Sequence, residues 1–320
     1  MPFGKKPFSR VVTGVDKSRL FYARLVGRLN AAGAEITTAT MQAVTASNYI
    51  EFLLNGAGDS DINDYTGTAG AAGRITITDA NADTVGDVID IINGVGVGQD
   101  GGVSAGGSRR WRAALGDFPR AYALTSGDLL NQASAVEMML GKRHKGASVF
   151  ADSSGLASPG PNDIWVGIGT EHGVLAGGGL VVPDYFEDVP GETTTSTKIS
   201  SPSGDRTRQK AKRNDESGIA ARYSVVIHAI LTGVDWDTTK LIEVYTEDQV
   251  PGTDTPFYSE SIAATGAGST VYNGAAGGPV LVGPPGKALF VRVSGTSNLT
   301  DGNVVVTGYY EQTPRSAVAA

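Results

Sequence analysis

The sequence predicts an α+β N-terminal part followed by an all-β antiparallel domain, a sandwich of jelly-roll-like type. Three observations carry that reading. Residues 222–311 run as one short β-rich segment after another, broken by Gly, Pro, Asn and Asp. Upstream, strand-like runs alternate with stretches of helical apolar spacing. Between them, over residues 183–218, Thr, Ser, Gly and charge replace almost every large apolar residue, as expected at a boundary. The organisation is therefore an extended basic arm (1–17), an α+β domain (18–182), a linker or long exposed loop (183–218), a β-sandwich domain (219–311) and a tail (312–320).

Pro2, Gly4 and Pro7 oppose a helix in the arm, which is expected to order only against a neighbouring subunit. Residues 18–30 carry Leu20, Phe21, Arg24, Leu25 and Leu29 near helical spacing and predict a short helix. Residues 35–54 hold two strands, around Ile36, Thr38 and Thr40 and around Tyr49, Ile50 and Phe52, and residues 55–73 a Gly/Asp/Asn loop. A short strand over 74–78 leads into the most regular helix, where Val85, Val88, Ile89 and Ile92 share one face. Thr84 and Asp87 match a capping box, and Asn93-Gly94 supplies the stop. After a Gly-rich loop over 94–107, a second helix is expected over 128–140, with Leu129, Leu130, Ala133, Val136 and Leu140 inward. Residues 147–151 and 164–168 read as further strands.

In the C-terminal block, Tyr223, Val225, Ile227, Ala229 and Leu231 alternate with Ser224, Val226, His228, Ile230 and Thr232. Both sets are largely apolar, which predicts a central strand. Over 241–247 one face carries Ile242, Val244 and Thr246 and the other Glu243, Tyr245 and Glu247, so one dry face and one wet face are expected. Runs over 257–263, 269–272, 279–282, 288–294 and 303–310 complete a set of short strands at sandwich spacing. Asp301-Gly302 is a good turn pair, because both tolerate positive φ.

A chain of 320 residues suffices for a substantial core. Its 44 glycines are about twice the usual share and lie in turns, not at a collagen period. With no cysteine, disulfides, thiolate metal sites and a cysteine nucleophile are excluded. No apolar run reaches the roughly 18 residues a membrane helix needs. Lys5-Lys6 is not followed by a signal-peptide core, so a non-secretory N-terminus is expected.

Net charge is −7, yet residues 1–30 hold seven basic side chains against Asp16 alone. A second basic run comprises Arg206, Arg208, Lys210, Lys212 and Arg213. Basic segments on an acidic body meet acidic neighbours or nucleic acid. Nucleic acid stays open but is not favoured, because these segments lack the interleaved aromatics of a nucleic-acid groove. The interface candidates are Phe3, Lys5, Lys6, Phe8 and Arg10 in the arm, Arg109, Arg110, Trp111 and Arg112 in a Trp-centred cluster, and Arg206, Arg208 and Lys210 in the second run. Trp and Arg are enriched at interface hot spots, which motivates the middle group.

Chemistry is sparse. His144, His172 and His228 are the three histidines, and none stands at metal-ligand spacing from another. Gly96-x-Gly98-x-x-Gly101 matches a dinucleotide fingerprint as a string but follows a helix where a strand is required. Gly58-Asp59-Ser60 lacks supporting triad partners. Asp59-x-Asp61-x-Asn63 and Asp79-x-Asn81-x-Asp83 begin like calcium loops but carry Asp64 and Thr84 at the glycine position, and Gly70 and Asp90 at the glutamate position. Asn298-Leu299-Thr300 is a sequon without a secretory context. No catalytic residue, metal or cofactor is expected.

The Gly/Ala/Thr-rich, cysteine-free composition, the basic arm and strands such as Ala288-Leu289-Phe290-Val291-Arg292-Val293 and Val304-Val305-Val306 together resemble tailed-bacteriophage virion proteins. Head-decoration, cement and head-fibre types are the most similar in style. The resemblance implies a non-enzymatic capsid component, trimeric by preference, located in the virion and assembled in the host cytoplasm. Its partners would be copies of itself and other virion proteins. The alternatives are a carbohydrate or host-surface binding module, with Tyr245, Tyr258, Tyr309 and Tyr310 as candidate aromatics, and a major capsid protein.

Overall fold

The computed structural model describes residues 6–14, 18–30, 32–60, 62, 72–77, 82–93, 110–125, 127–152, 163–170, 223–232, 240–262, 270–273, 280–294 and 302–312. These are mainly antiparallel β-strands. The first strand, β1 (Lys6–Thr13), pairs over its whole length with the last, β19 (Asn303–Gln312). The same pairing recurs inward. Strand β12 (Ile164–Ile168) pairs with β18 (Leu289–Ser294). Strand β13 (Tyr223–Thr232) pairs with β16 (Thr270–Asn273) and β17 (Leu281–Val282), and β14 (Lys240–Thr246) with β15 (Tyr258–Ile262). First meets last, second meets second-last, and so on, as in one long antiparallel hairpin.

That hairpin is folded into two sheets. One has the order β1-β19-β13-β16, with β17 also on β13; the other has the order β12-β18-β14-β15. They enclose a core of Val12, Ile164, Val166, Ile168, Val225, Ile227, Ile230, Ile242, Val244, Leu289, Val291, Val293, Val304 and Val306. The period-2 alternation of these strands put β-branched residues on the inner face, where they suit a pleated surface. The register shift between Ile227 and Ala229 is a local irregularity in β13 opposite β19.

Residues 14–163 are inserted between β1 and β12. They contribute β2 (Arg19–Leu25), β3 (Ala39–Val44), β4 (Tyr49–Leu54), β5 (Ala57–Gly58), β6 (Arg74–Thr76), α1 (Val85–Asn93) and β7 (Trp111–Leu115). The rest are β8 (Val136–Glu137), β9 (Met139–Leu140), β10 (Arg143–His144) and β11 (Gly146–Phe150). They form a sheet β11-β2-β7, a sheet β5-β4-β3-β8 with β6 on β4, and the hairpin β9-β10. Helix α1 starts as the capping box requires. The Thr84 amide donates to the Asp87 carboxylate at 3.1 Å and the Asp87 amide to the Thr84 hydroxyl at 3.1 Å. It ends at Asn93, whose side chain exchanges two hydrogen bonds with the Ala113 backbone, 2.8 and 3.0 Å. That contact ties the helix to β7.

The structure corrects four expectations. Residues 18–30 are not a helix. Arg19–Leu25 is a strand flanked by β7 and β11, burying Phe21, Ala23 and Leu25. Residues 128–140 are not a helix either: Leu129 bridges Ala151, Val136–Glu137 pairs with β3, and Met139–Leu140 opens a hairpin. The arm is extended as expected, but residues 6–13 are built into the chain's own sheet. The sandwich is also not confined to 219–311, because β1 and β12 complete it. In the second sheet β12, β18 and β14 are buried on both faces, so the side of β14 expected to be wet is covered. Trp165, Tyr245 and Phe290 point away from the sandwich core into a cluster with Phe21, Phe118, Tyr122 and Trp111. Residues 183–218 lie outside the described residues.

Deleting residues 2–12 is expected to lower the unfolding midpoint of the whole chain, because it removes all of the eight-residue β1 but Thr13, including the buried Val12. Val11→Ala, at a side chain 56% exposed, is expected to change stability by less than about 0.5 kcal/mol. Thermal unfolding of both variants checks this. An unchanged midpoint after the deletion would show that β1 does not hold the sheet.

Candidate interaction surfaces

One interface candidate, Arg10, is engaged by the buried Asp117. Its carboxylate accepts from Arg10 Nη2 at 2.8 Å, Arg19 Nε at 3.1 Å, the Arg19 amide at 2.8 Å and the Gly167 amide at 3.0 Å. One buried side chain thus joins β1, β2 and β12. Burial pushes the Asp117 pKa up, and the Arg19 guanidinium pulls the other way. Arg10, expected at a subunit interface, is spent on this internal contact. Phe8 is half-buried and packs on Tyr310 with ring centroids 5.1 Å apart. Lys6 lies in β1 opposite Tyr310. Phe3 and Lys5 lie outside the described residues.

The Trp-centred cluster is also internal. Trp111 is fully buried and meets Phe52 edge-on at 5.0 Å. Its Nε1 donates to Asp59 Oδ2 at 3.0 Å, while Arg110 Nη1 donates to Asp59 Oδ1 at 2.9 Å and Arg110 Nε to the Leu29 carbonyl at 2.8 Å. Arg112 Nη1 donates to the Trp111 carbonyl at 2.6 Å. Trp111 is therefore a core anchor, not a surface hot spot, because its indole has its partner inside. Asp59, the first residue of one calcium-like string, satisfies Trp111 and Arg110. Arg109, Arg206, Arg208 and Lys210 lie outside the described residues, as do Asp61, Asn63, Asp79 and Asn81.

A third buried group lies on the far face of the second sheet. Arg292 donates from Nε to Asp163 at 2.7 Å and from Nη1 to Glu243 at 2.6 Å. Burial pushes Asp163 up to about 6, against the opposing pull of Arg292. Burial also raises the Tyr122 hydroxyl, helped by the charges of Asp128 and Asp163. The arrangement gives both carboxylates at this buried junction a shared cationic partner. Among the described residues no group of three or more His, Asp or Glu could hold a metal ion. Of the four candidate glycan-binding tyrosines, Tyr245 and Tyr310 are in the cores; Tyr258 and Tyr309 are half-buried.

One surface was missed. Strands β9 and β10 are joined by Gly141-Lys142, with Gly141 at φ 58, the positive φ that a two-residue hairpin loop asks of its first central residue. Lys142, Arg143 and Lys145 are exposed on it, and His144 is half-exposed. The Lys145 carbonyl accepts from the Leu25 amide at 3.3 Å, which sets the hairpin beside β2. On the outer face of that sheet, Arg24 stands between Gly146 and Arg112. Tyr22, 37% exposed, lays its phenol end over Gly146, so close that a Cβ there would meet the hydroxyl at 1.8 Å. The run Lys142-Arg143-His144-Lys145 was the available signal; it directly follows the stretch expected as a helix, so its display on a turn was not visible.

Two outcomes follow from this geometry. Asp117→Ala is expected to cost about 3–5 kcal/mol in urea unfolding, because it removes a fully buried acceptor shared by two part-buried guanidiniums and the Arg19 and Gly167 amides; a loss below about 1 kcal/mol would mean the contact is not structural. Asp128, held by Thr125, is pushed by burial from 3.8 to about 6. A raised carboxyl pKa contributes stability that is full below pH 3.8 and lost as pH rises through about 6. Asp128→Asn is therefore expected to flatten the decline in stability between about pH 4 and 6, measured by urea unfolding across that window; an equal decline in both proteins would count against it.

Comparison with protein-family models, with characterised proteins and with solved structures finds no match to this chain.

Proposed function

We propose that the chain is a non-enzymatic virion structural protein, a capsid-decoration or head-associated subunit, whose sandwich is a jelly roll and whose partners are copies of itself. The observation that carries this reading is the nested pairing of the sandwich strands. Four pairs of strands, β1 with β19, β12 with β18, β13 with β16 and β17, and β14 with β15, are distributed between two sheets. Such nesting supports reading the sandwich as the wound double-Greek-key path of a jelly roll, an architecture shared by viral capsid and lectin domains. A major capsid subunit is the second reading, favoured by the same topology.

The N-terminal half keeps its α+β character in this proposal through α1, which packs on β7 inside the inserted region. The engagement of Asp59, Asp117, Asp163 and Glu243 with arginines supports a structural assignment, since each carboxylate is committed to holding elements together. Burial of Tyr245 and Tyr310 weighs against a glycan-binding face built on those rings.

Light scattering and negative-stain electron microscopy of the purified chain test the proposal. Closed homo-oligomers, trimers foremost, or shells are the expected result. A monomer at every concentration that also binds glycans would replace this reading with a carbohydrate-binding one.

A further inference from the structure

We propose that the β9–β10 hairpin and the adjoining outer face of the β11-β2-β7 sheet form a binding surface for single-stranded nucleic acid. The surface holds the two components such binding requires: cations that track a phosphate backbone and an aromatic face on which a base stacks. Lys142, Arg143 and Lys145 are all exposed within four residues and form no ion pair with a described residue. They do so on a chain whose net charge is −7, so the patch is a local reversal of sign. Arg10, Arg19, Arg110, Arg120 and Arg292 are turned to carboxylates at element junctions; Lys142, Arg143 and Lys145 are turned to water.

The backbone bond from Leu25 to Lys145 makes the hairpin continuous with β2. Two residues back along the outer face of β2 stands Arg24's neighbour, Tyr22, whose phenol end lies over Gly146 and whose side chain is 37% exposed. A ring whose tip is seated on the Gly146 backbone and whose remainder is exposed is held in place for a base to stack on. Arg24 and Arg112, directly opposite each other in register, extend the row away from the hairpin. A free acidic polypeptide would use the cations but gain nothing from the ring. A duplex keeps its bases stacked and out of the ring's reach. An unpaired strand uses both.

The proposal does not depend on the virion reading, because it is measured on whatever oligomer the chain forms. Fluorescein-labelled dT20 and U20 oligonucleotides, inorganic polyphosphate and polyglutamate serve as probes in fluorescence anisotropy or competition, across a salt series. The native chain is expected to bind the oligonucleotides at low salt more tightly than polyglutamate. Combined Lys142→Glu, Arg143→Glu and Lys145→Glu substitution is expected to weaken oligonucleotide binding at least tenfold. It should also lower the slope of log affinity against log salt by about 2, the loss of three phosphate contacts to a single strand. Tyr22→Leu is expected to weaken oligonucleotide binding about tenfold and leave polyphosphate binding unchanged, since only bases stack. Circular dichroism checks that the variants fold, and Lys142→Gln with Arg143→Gln, two exposed changes, replaces the triple variant if it does not. Unchanged oligonucleotide affinity and salt slope in the charge variant would overturn the proposal. So would Tyr22→Leu binding with native affinity, or a native chain that prefers polyglutamate, which would make the patch a docking site for acidic protein.

Discussion

In the second sandwich sheet the three strands β12, β18 and β14 are covered on both faces, with only the edge strand β15 exposing side chains, and most of the structure is arranged around that constraint. Its inner side chains, among them Val166, Val244 and Val291, fill the sandwich, while Trp165, Tyr245 and Phe290 fill the core of the inserted region. A sheet buried on both faces must satisfy any charge it carries from within, because an unpaired buried ion costs several kcal/mol. Glu243 sits on this sheet and Asp163 immediately precedes β12. Arg292, on the neighbouring strand, meets both. The ion group is the condition under which the sheet can serve two cores at once.

The same constraint explains why the chain does not separate into two halves. The insertion interrupts the sandwich between its first and second strands, and its core closes against the sandwich. Asp117 marks the junction. It lies in the inserted region yet binds the sandwich strands β1 and β12 through Arg10 and Gly167. The Arg10 contact spans 107 residues of sequence, so it constrains a large loop once formed. Burial of such a hub favours one unique arrangement of elements over several.

Charge is divided accordingly. Arg10, Arg19, Arg110, Arg120 and Arg292 are directed to carboxylates at element junctions. Lys142, Arg143 and Lys145 are displayed on a turn. Arginine suits the first role, with a planar fork that satisfies two acceptors at once, as Arg292 does. The cations that serve the fold and those open to a partner are thus distinguished by burial, a property that composition does not contain.

The sequence by itself determined the elements whose signal is local. Alternation over Tyr223–Thr232 and Leu289–Ser294 and the capping pair Thr84 and Asp87 act between residues a few positions apart, so strands β13 and β18 and helix α1 were legible. Only the tertiary structure decided the rest. Leu20, Phe21, Arg24 and Leu25 fit a helix or a strand equally, and the edges of β7 and β11 on either side fixed the strand. Glu243 and Tyr245 read as a wet face, because nothing near them in sequence announces that the insertion will cover them. Trp111 among arginines read as a surface anchor, because its acceptor, Asp59, lies 52 residues away. Local periodicity is set by the backbone's own geometry, whereas burial depends on which distant segments close over a residue, and that closure is a property of the whole chain.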